Sequence, residues 1–156
     1  MRIDGAAADE SGFTLLEAVC ALAILALVAA VIVPALPRGT SRTMFEAQAL
    51  QAAALLKQDR MTAMQRGVMV ATIVDAAQGA ITSGAGGQAL RLPRDVALSA
   101  VLAQTCRGRA AGSTIQFFPS GMSCGGTIIL SRLGFVLEIR VNWLTGGVEI
   151  VSPSAA

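Results

Sequence analysis

The chain has 156 residues, 54% of them apolar and 14% charged, with a net charge of +2, a balance that excludes a disordered tail. It contains no histidine, which removes Ser–His and Cys–His nucleophile pairs and the common zinc ligand sets. Aromatics are 4% with no tyrosine, and the eleven basic and six acidic side chains after Leu36 form no basic run, so neither a base-stacking platform nor a strong phosphate-binding footprint is present.

The first twelve residues are acidic, with Arg2 against Asp4, Asp9 and Glu10. Residues 13–36 are apolar except for Glu17. As a helix they would run about 36 Å, enough to cross a hydrocarbon core. Pro34 and Pro37 close the stretch, and Pro34 is predicted to kink or loosen the helix. A secretory signal peptide would want a basic start and a small-residue cleavage site after the apolar run. An uncut anchor explains the apolarity but not the carboxyl inside it, whose burial in a spanning helix costs on the order of 2.5–3.5 kcal/mol. Thr14-Leu15-Leu16-Glu17 also has the Ser/Thr-x-x-Glu spacing of a capping box, a reading that needs no membrane.

Gly12-Phe13-Thr14-Leu15-Leu16-Glu17, followed at once by the apolar run, resembles the class III leader of type IV pilins and of the pseudopilins of type II secretion. The resemblance implies that a prepilin peptidase cuts between Gly12 and Phe13 on the cytoplasmic side. Phe13 is then N-methylated, and Glu17 pairs with the N-terminal amine of a neighbouring subunit. Pairing the two charges removes much of the cost of burying either. Such leaders are usually basic, whereas this one is acidic.

Residues 44–65 read as an amphipathic helix that continues the apolar one. Phe45, Ala49, Ala52, Leu56, Ala63 and Met64 fall near one face, while Glu46, Lys57, Asp59 and Arg66 punctuate the rest. Gly67 is a natural stop. After it the period changes to that of strands. Residues 68–74 are β-rich, and Gly79, Gly84, Gly86 and Gly87 mark turns and a loose loop. Residues 89–98, interrupted by Pro93, read as one edge strand. Strands follow at 113–118, 127–130, 135–142 and 147–151, with turns at 131–134 and 144–146. Val136, Glu138 and Arg140 would share one face, and Phe135, Leu137, Ile139 and Val141 the other. Trp143, before a turn, reads first as a packing residue, although an exposed tryptophan could anchor a partner. The fold predicted is α+β, a long N-terminal helix packed on an antiparallel sheet system.

Cys20 lies in the apolar run and reads as a small hydrophobe. Cys106 and Cys124 lie 18 positions apart. They are either a disulfide, worth about 3 kcal/mol in the chain-entropy model, or two buried thiols. Gly84–Gly87 precede Gln88 and Ala89, so they are no P-loop. Asp75, Asp95, Glu138 and Glu149 are scattered singletons that read as solvated charge. No metal or cofactor site is expected.

Ile115-Gln116-Phe117-Phe118-Pro119-Ser120-Gly121, then Gly125-Gly126-Thr127-Ile128, then Leu144-Thr145-Gly146-Gly147-Val148, is similar to the C-terminal half of the H-type minor pseudopilins and of the related FimT-type minor pilins. That resemblance implies a pilin-like fold with two small sheets. Its parts are a leader at 1–12, a hydrophobic helix at 13–36, a helical continuation at 37–67 and a periplasmic β domain at 68–156. It implies a single-pass inner-membrane subunit rather than an enzyme, one that assembles with other major and minor pseudopilins, contacts membrane lipid and takes no small-molecule substrate. Glu17 separates the chain from the larger K-type tip subunits, which usually lack that residue. The alternative is a FimT-like minor pilin that binds DNA during uptake, for which Arg107 and Arg109 are a small basic pair.

Overall fold

A computed structural model describes residues 15–35 and 39–152, with only the backbone of residues 31–35. The expectations for Gly12, Phe13 and Thr14, and for the end of the apolar stretch at Leu36 and Pro37, lie outside the described residues. The chain divides into two units, Met1–Arg38 and Gly39–Ala156.

In the first unit, α1 spans Leu15–Ala35. Leu15, Leu16, Leu22, Leu25 and Leu27 are all exposed, so apolar side chains project around the whole helix rather than along one stripe. Such a helix suits burial in a large core or in lipid. Among the described residues no helix is long and apolar enough to cross a membrane. The stretch behind the spanning expectation, 13–36, extends past the described residues at both ends.

The second unit starts with a helix of its own. α2 (Arg42–Arg66) is capped by Ser41, whose backbone is extended and whose hydroxyl accepts from the Met44 amide at 3.2 Å. The predicted unbroken helical continuation therefore gives way to a fresh start, because Thr40 and Ser41 spend their polar groups on Asp95 and on the helix end. Gly67, in the left-handed region at φ 66°, ends the helix as predicted.

Ten strands follow among the described residues, all paired antiparallel. β1 (Val70–Asp75), β2 (Ala80–Thr82), β3 (Ala89–Arg91) and β7 (Thr114–Phe117) form one sheet in the order β3-β2-β1-β7. β4 (Ala97–Leu102), β8 (Gly126–Arg132), β9 (Phe135–Val141) and β10 (Val148–Val151) form the other in the order β10-β9-β8-β4. β5 (Thr105–Cys106) and β6 (Arg109–Ala110) pair only with each other. The single edge strand predicted over 89–98 is two strands in different sheets. Pro93 breaks it, and the turn is closed by the Val96 amide donating to the Pro93 carbonyl at 3.0 Å.

α2 lies against both sheets. Phe45, Ala49, Ala52, Leu56 and Ala63 join Val70, Val74, Ile81, Ile115 and Phe117 from the first sheet, and Ile128, Leu130, Ile139, Val141 and Val148 from the second, in one core. The alanines carry so little side chain that the helix can sit close to both sheets. The predicted alternation of β9 shows only in its second half, where Ile139 and Val141 are buried and Arg140 is exposed, while Phe135 and Val136 are both exposed and Leu137 and Glu138 both half-buried. Two helix assignments are corrected. Met64, placed on the apolar face, is 42% exposed, and Asp59, placed on the polar face, is fully buried.

Candidate assembly site and the stapled end of the domain

Of the residues expected to direct assembly, Gly12 and Phe13 lie outside the described residues. Glu17 sits in the first turn of α1, where a carboxyl is favoured by the positive end of the helix dipole. Cys20, one turn further on, is exposed on the helix rather than buried.

The β domain is tied to α2 at three points. The first is Asp59, whose two carboxyl oxygens accept from the Thr72 hydroxyl at 2.6 Å, the Ser83 hydroxyl, and the Gly84 and Ala85 amides at 3.1 and 3.3 Å. Every donor comes from the sheet side, so one buried acid fixes the helix against β1 and the β2–β3 turn. Gly84, read from sequence as part of a loose loop, is needed here. A Cβ at that position would lie 2.3 Å from the Ala71 carbonyl oxygen. No local sequence signal marks Asp59, because its partners are 13 to 26 positions away.

The second tie lies at the start of α2. Asp95, expected as a solvated singleton, accepts from Arg132 Nε at 2.8 Å, the Thr40 amide at 3.0 Å and the Thr40 hydroxyl at 2.8 Å. The Arg132 guanidinium first, and then Thr40, hold the Asp95 carboxyl well below the usual carboxylate range. This places the point where the chain enters the domain.

The third tie is at the far end of α2. Arg60 Nε donates to the Gly121 carbonyl at 3.0 Å. Gly146, at φ 63°, passes so close that a Cβ would lie 2.1 Å from that same oxygen. Beside this end lies a second, small apolar cluster of Cys106, Ala111 and Phe118, with Met122 and Cys124 against it. Cys106 and Cys124 are bonded, with Cα atoms 5.8 Å apart. The bond staples the β5–β6 hairpin to the loop before β8. Arg107 and Gly108 form its two-residue turn at φ 49° and 75°, the left-handed pair that tight hairpins require. The turn holds the Arg107 guanidinium 4.0 Å from the centre of the Phe118 ring. Across a groove of about 320 Å³ stands Trp143. Its side of the β9–β10 turn is set by Asn142, whose Oδ1 accepts from the Leu144 and Thr145 amides at 2.9 and 3.0 Å. Trp143 is 62% exposed, which corrects its reading as a packing residue.

Residues 8–33 match the family model described as the prokaryotic N-terminal methylation motif. No protein of curated function matches the chain. Among solved structures, the minor pseudopilin EpsH from the Type 2 Secretion System of Vibrio cholerae is similar at a TM-score of 0.55 and 12% identity, over 70% of this chain and 98% of that one. The type IV minor pilin FimU of Pseudomonas aeruginosa is similar at a TM-score of 0.56 and 14% identity, over 75% of this chain and 95% of that one. At such identities the likeness is one of fold. The chain thus carries a prokaryotic N-terminal methylation motif ahead of a pilin-like fold.

Proposed function

We propose that this chain is a minor pseudopilin of a type II secretion system, a structural subunit near the tip of a short periplasmic filament that helps export folded proteins across the outer membrane. The observation that carries the reading is the leader motif at Gly12–Glu17, within the matched residues 8–33, joined to a pilin-like domain. In this reading a prepilin peptidase cuts after Gly12 and Phe13 is methylated. Residues 13–36 sit in the inner membrane until the subunit enters the filament. The Phe13 amine of one subunit then meets Glu17 of the next, and helices apolar on all sides bundle around that pair. The β domain stands in the periplasm, an oxidising compartment in which the Cys106–Cys124 bond persists.

A second reading, a FimT-like minor pilin that binds DNA during uptake, is favoured by the likeness to FimU and by exposed Arg107 and Arg109. Secretion is preferred because the domain's other cations are spent or scattered. Arg42 pairs with Glu46, Arg132 with Asp95 and Arg140 with Glu138. Two arginines neutralise few phosphates.

The test is intact mass and N-terminal sequencing of the membrane-extracted protein from its native host. An N-methylated chain beginning at Phe13 is expected, and a start at Met1 or beyond Leu36 overturns the filament reading. Deletion of the gene then separates the two functions, with loss of exoprotein release expected and loss of DNA uptake alone pointing to the pilus.

A further inference from the structure

The groove between the β5–β6 hairpin and Trp143 has the composition of a protein contact. One wall is Arg107 over Phe118, the other is exposed Trp143, and the Cys106–Cys124 bond and Met122 lie between them. Tryptophan and arginine are enriched at the energetic centres of interfaces, and methionine is enriched in interfaces relative to the rest of the surface. The groove also carries one charged lining residue, the cation Arg107. Arg107 and Arg109 take part in none of the ion pairs among the described residues, and no Asp or Glu occurs from Val96 to Leu137. The acidic side chains that flank this stretch, Asp95 and Glu138, are already held by Arg132 and Arg140, while Glu149 lines the adjoining groove on the other side of Trp143.

The position matters as well as the chemistry. α2 enters the domain beside Asp95 and ends beside Gly121 and Gly146, so the groove lies at the end of the domain away from the chain's entry point. A patch centred on Trp143 and Arg107 is far smaller than the roughly 800 Å² per partner of a stable interface. Alone it would bind weakly. It becomes effective for a partner already held nearby by another contact, because tethering raises the effective concentration to the millimolar range or so. A subunit bundled through its own apolar helix meets that condition, and a freely diffusing cargo protein does not.

We infer that this groove is the contact through which the β domain docks a carboxylate-bearing loop of an adjacent pilin-like subunit, with Arg107 taking the carboxylate and Trp143 packing on the apolar part of the loop. The inference rests on the filament reading above. The disulfide has a defined part in it. It holds the Arg107 turn over Phe118, so the cationic wall exists only while Cys106 and Cys124 are joined.

Trp143 is the single tryptophan, so fluorotryptophan incorporated into the full chain gives one fluorine resonance, from a side chain that lines this groove. The labelled chain, in detergent, is titrated with the purified soluble domain of each other pilin-like subunit of the same host. One of them is expected to shift the resonance saturably. The double variant Arg107→Glu, Arg109→Glu should weaken that binding by tenfold or more, and reduction of the disulfide should weaken it as well. A reversed charge on the partner's acidic loop should restore it. A resonance that no subunit moves, binding unchanged in the double variant, or a response to a short DNA duplex alone overturns the inference. The double variant is exposed on a hairpin tip, and an unchanged far-ultraviolet spectrum and melting temperature certify its fold. If it is cleaved before Phe13 and enters the filament at the normal level, the groove is refuted while the filament reading stands. A chain never cleaved at Phe13 removes the filament reading itself.

Discussion

At the scale of single residues, two acids that look alike in the sequence do different work. Asp59 is buried with four donors converging on it. Replacing it by alanine leaves the Thr72 and Ser83 hydroxyls and the Gly84 amide without their acceptor, while the Ala85 amide keeps the Ser83 hydroxyl at 3.1 Å, and each orphaned group costs part of its desolvation. Asp59→Ala should therefore destabilise the domain by on the order of 3 kcal/mol, read as a lower urea midpoint at unchanged slope. A loss under about 0.5 kcal/mol would show that water replaces the carboxyl. Asp95 is partly exposed, and its role shows in pH dependence. Its folded-state proton affinity lies below the unfolded value of about 3.9. Its contribution is therefore present above about pH 4 and lost as the pH falls further. Asp95→Asn should be less stable than the native chain at neutral pH, and the gap should close in acid. A gap that stays constant through pH 3, about one unit below the ordinary carboxylate value, would contradict the ion-pair role.

At the scale of elements, the β5–β6 hairpin is the part least able to stand by itself. It has two residues per strand and no neighbouring strand, and isolated hairpins are marginal in water. The disulfide and the Phe118 cluster supply what the ladder does not. Reduction should raise amide hydrogen exchange across residues 103–112 while α2, β1 and β8 stay protected, a local opening rather than global unfolding. Uniform loss of protection would mean that the bond holds the whole domain. Periodicity could not reveal this hairpin, nor three-residue β2, because a strand of two or three residues has no period to read. It also joined β3 to β4, since an alternation interrupted by Pro93 says nothing of which sheet each half will join.

At the scale of the whole molecule, the two units divide the labour: one carries the N-terminal methylation motif and an apolar helix, the other a capped helix on two sheets. Under the proposed function, Glu17→Ala should leave cleavage before Phe13 largely intact and impair incorporation into the filament. Assembly and secretion at native levels in that strain would remove the pairing role. Residues 12–17, the apolar run, the stop at Gly67 and the buried Ile139 and Val141 of β9 are written locally, in neighbours and short periods, so the N-terminal methylation motif, the α-then-β order and the pilin-like fold were legible in the sequence alone. The burial of Asp59, the clamp on Thr40, the need for Gly84 beside Ala71 and the exposure of Trp143 are contacts between residues far apart in the chain. Only the tertiary structure decided them, because a residue's environment depends on which distant backbone arrives beside it, and no local pattern records that arrival.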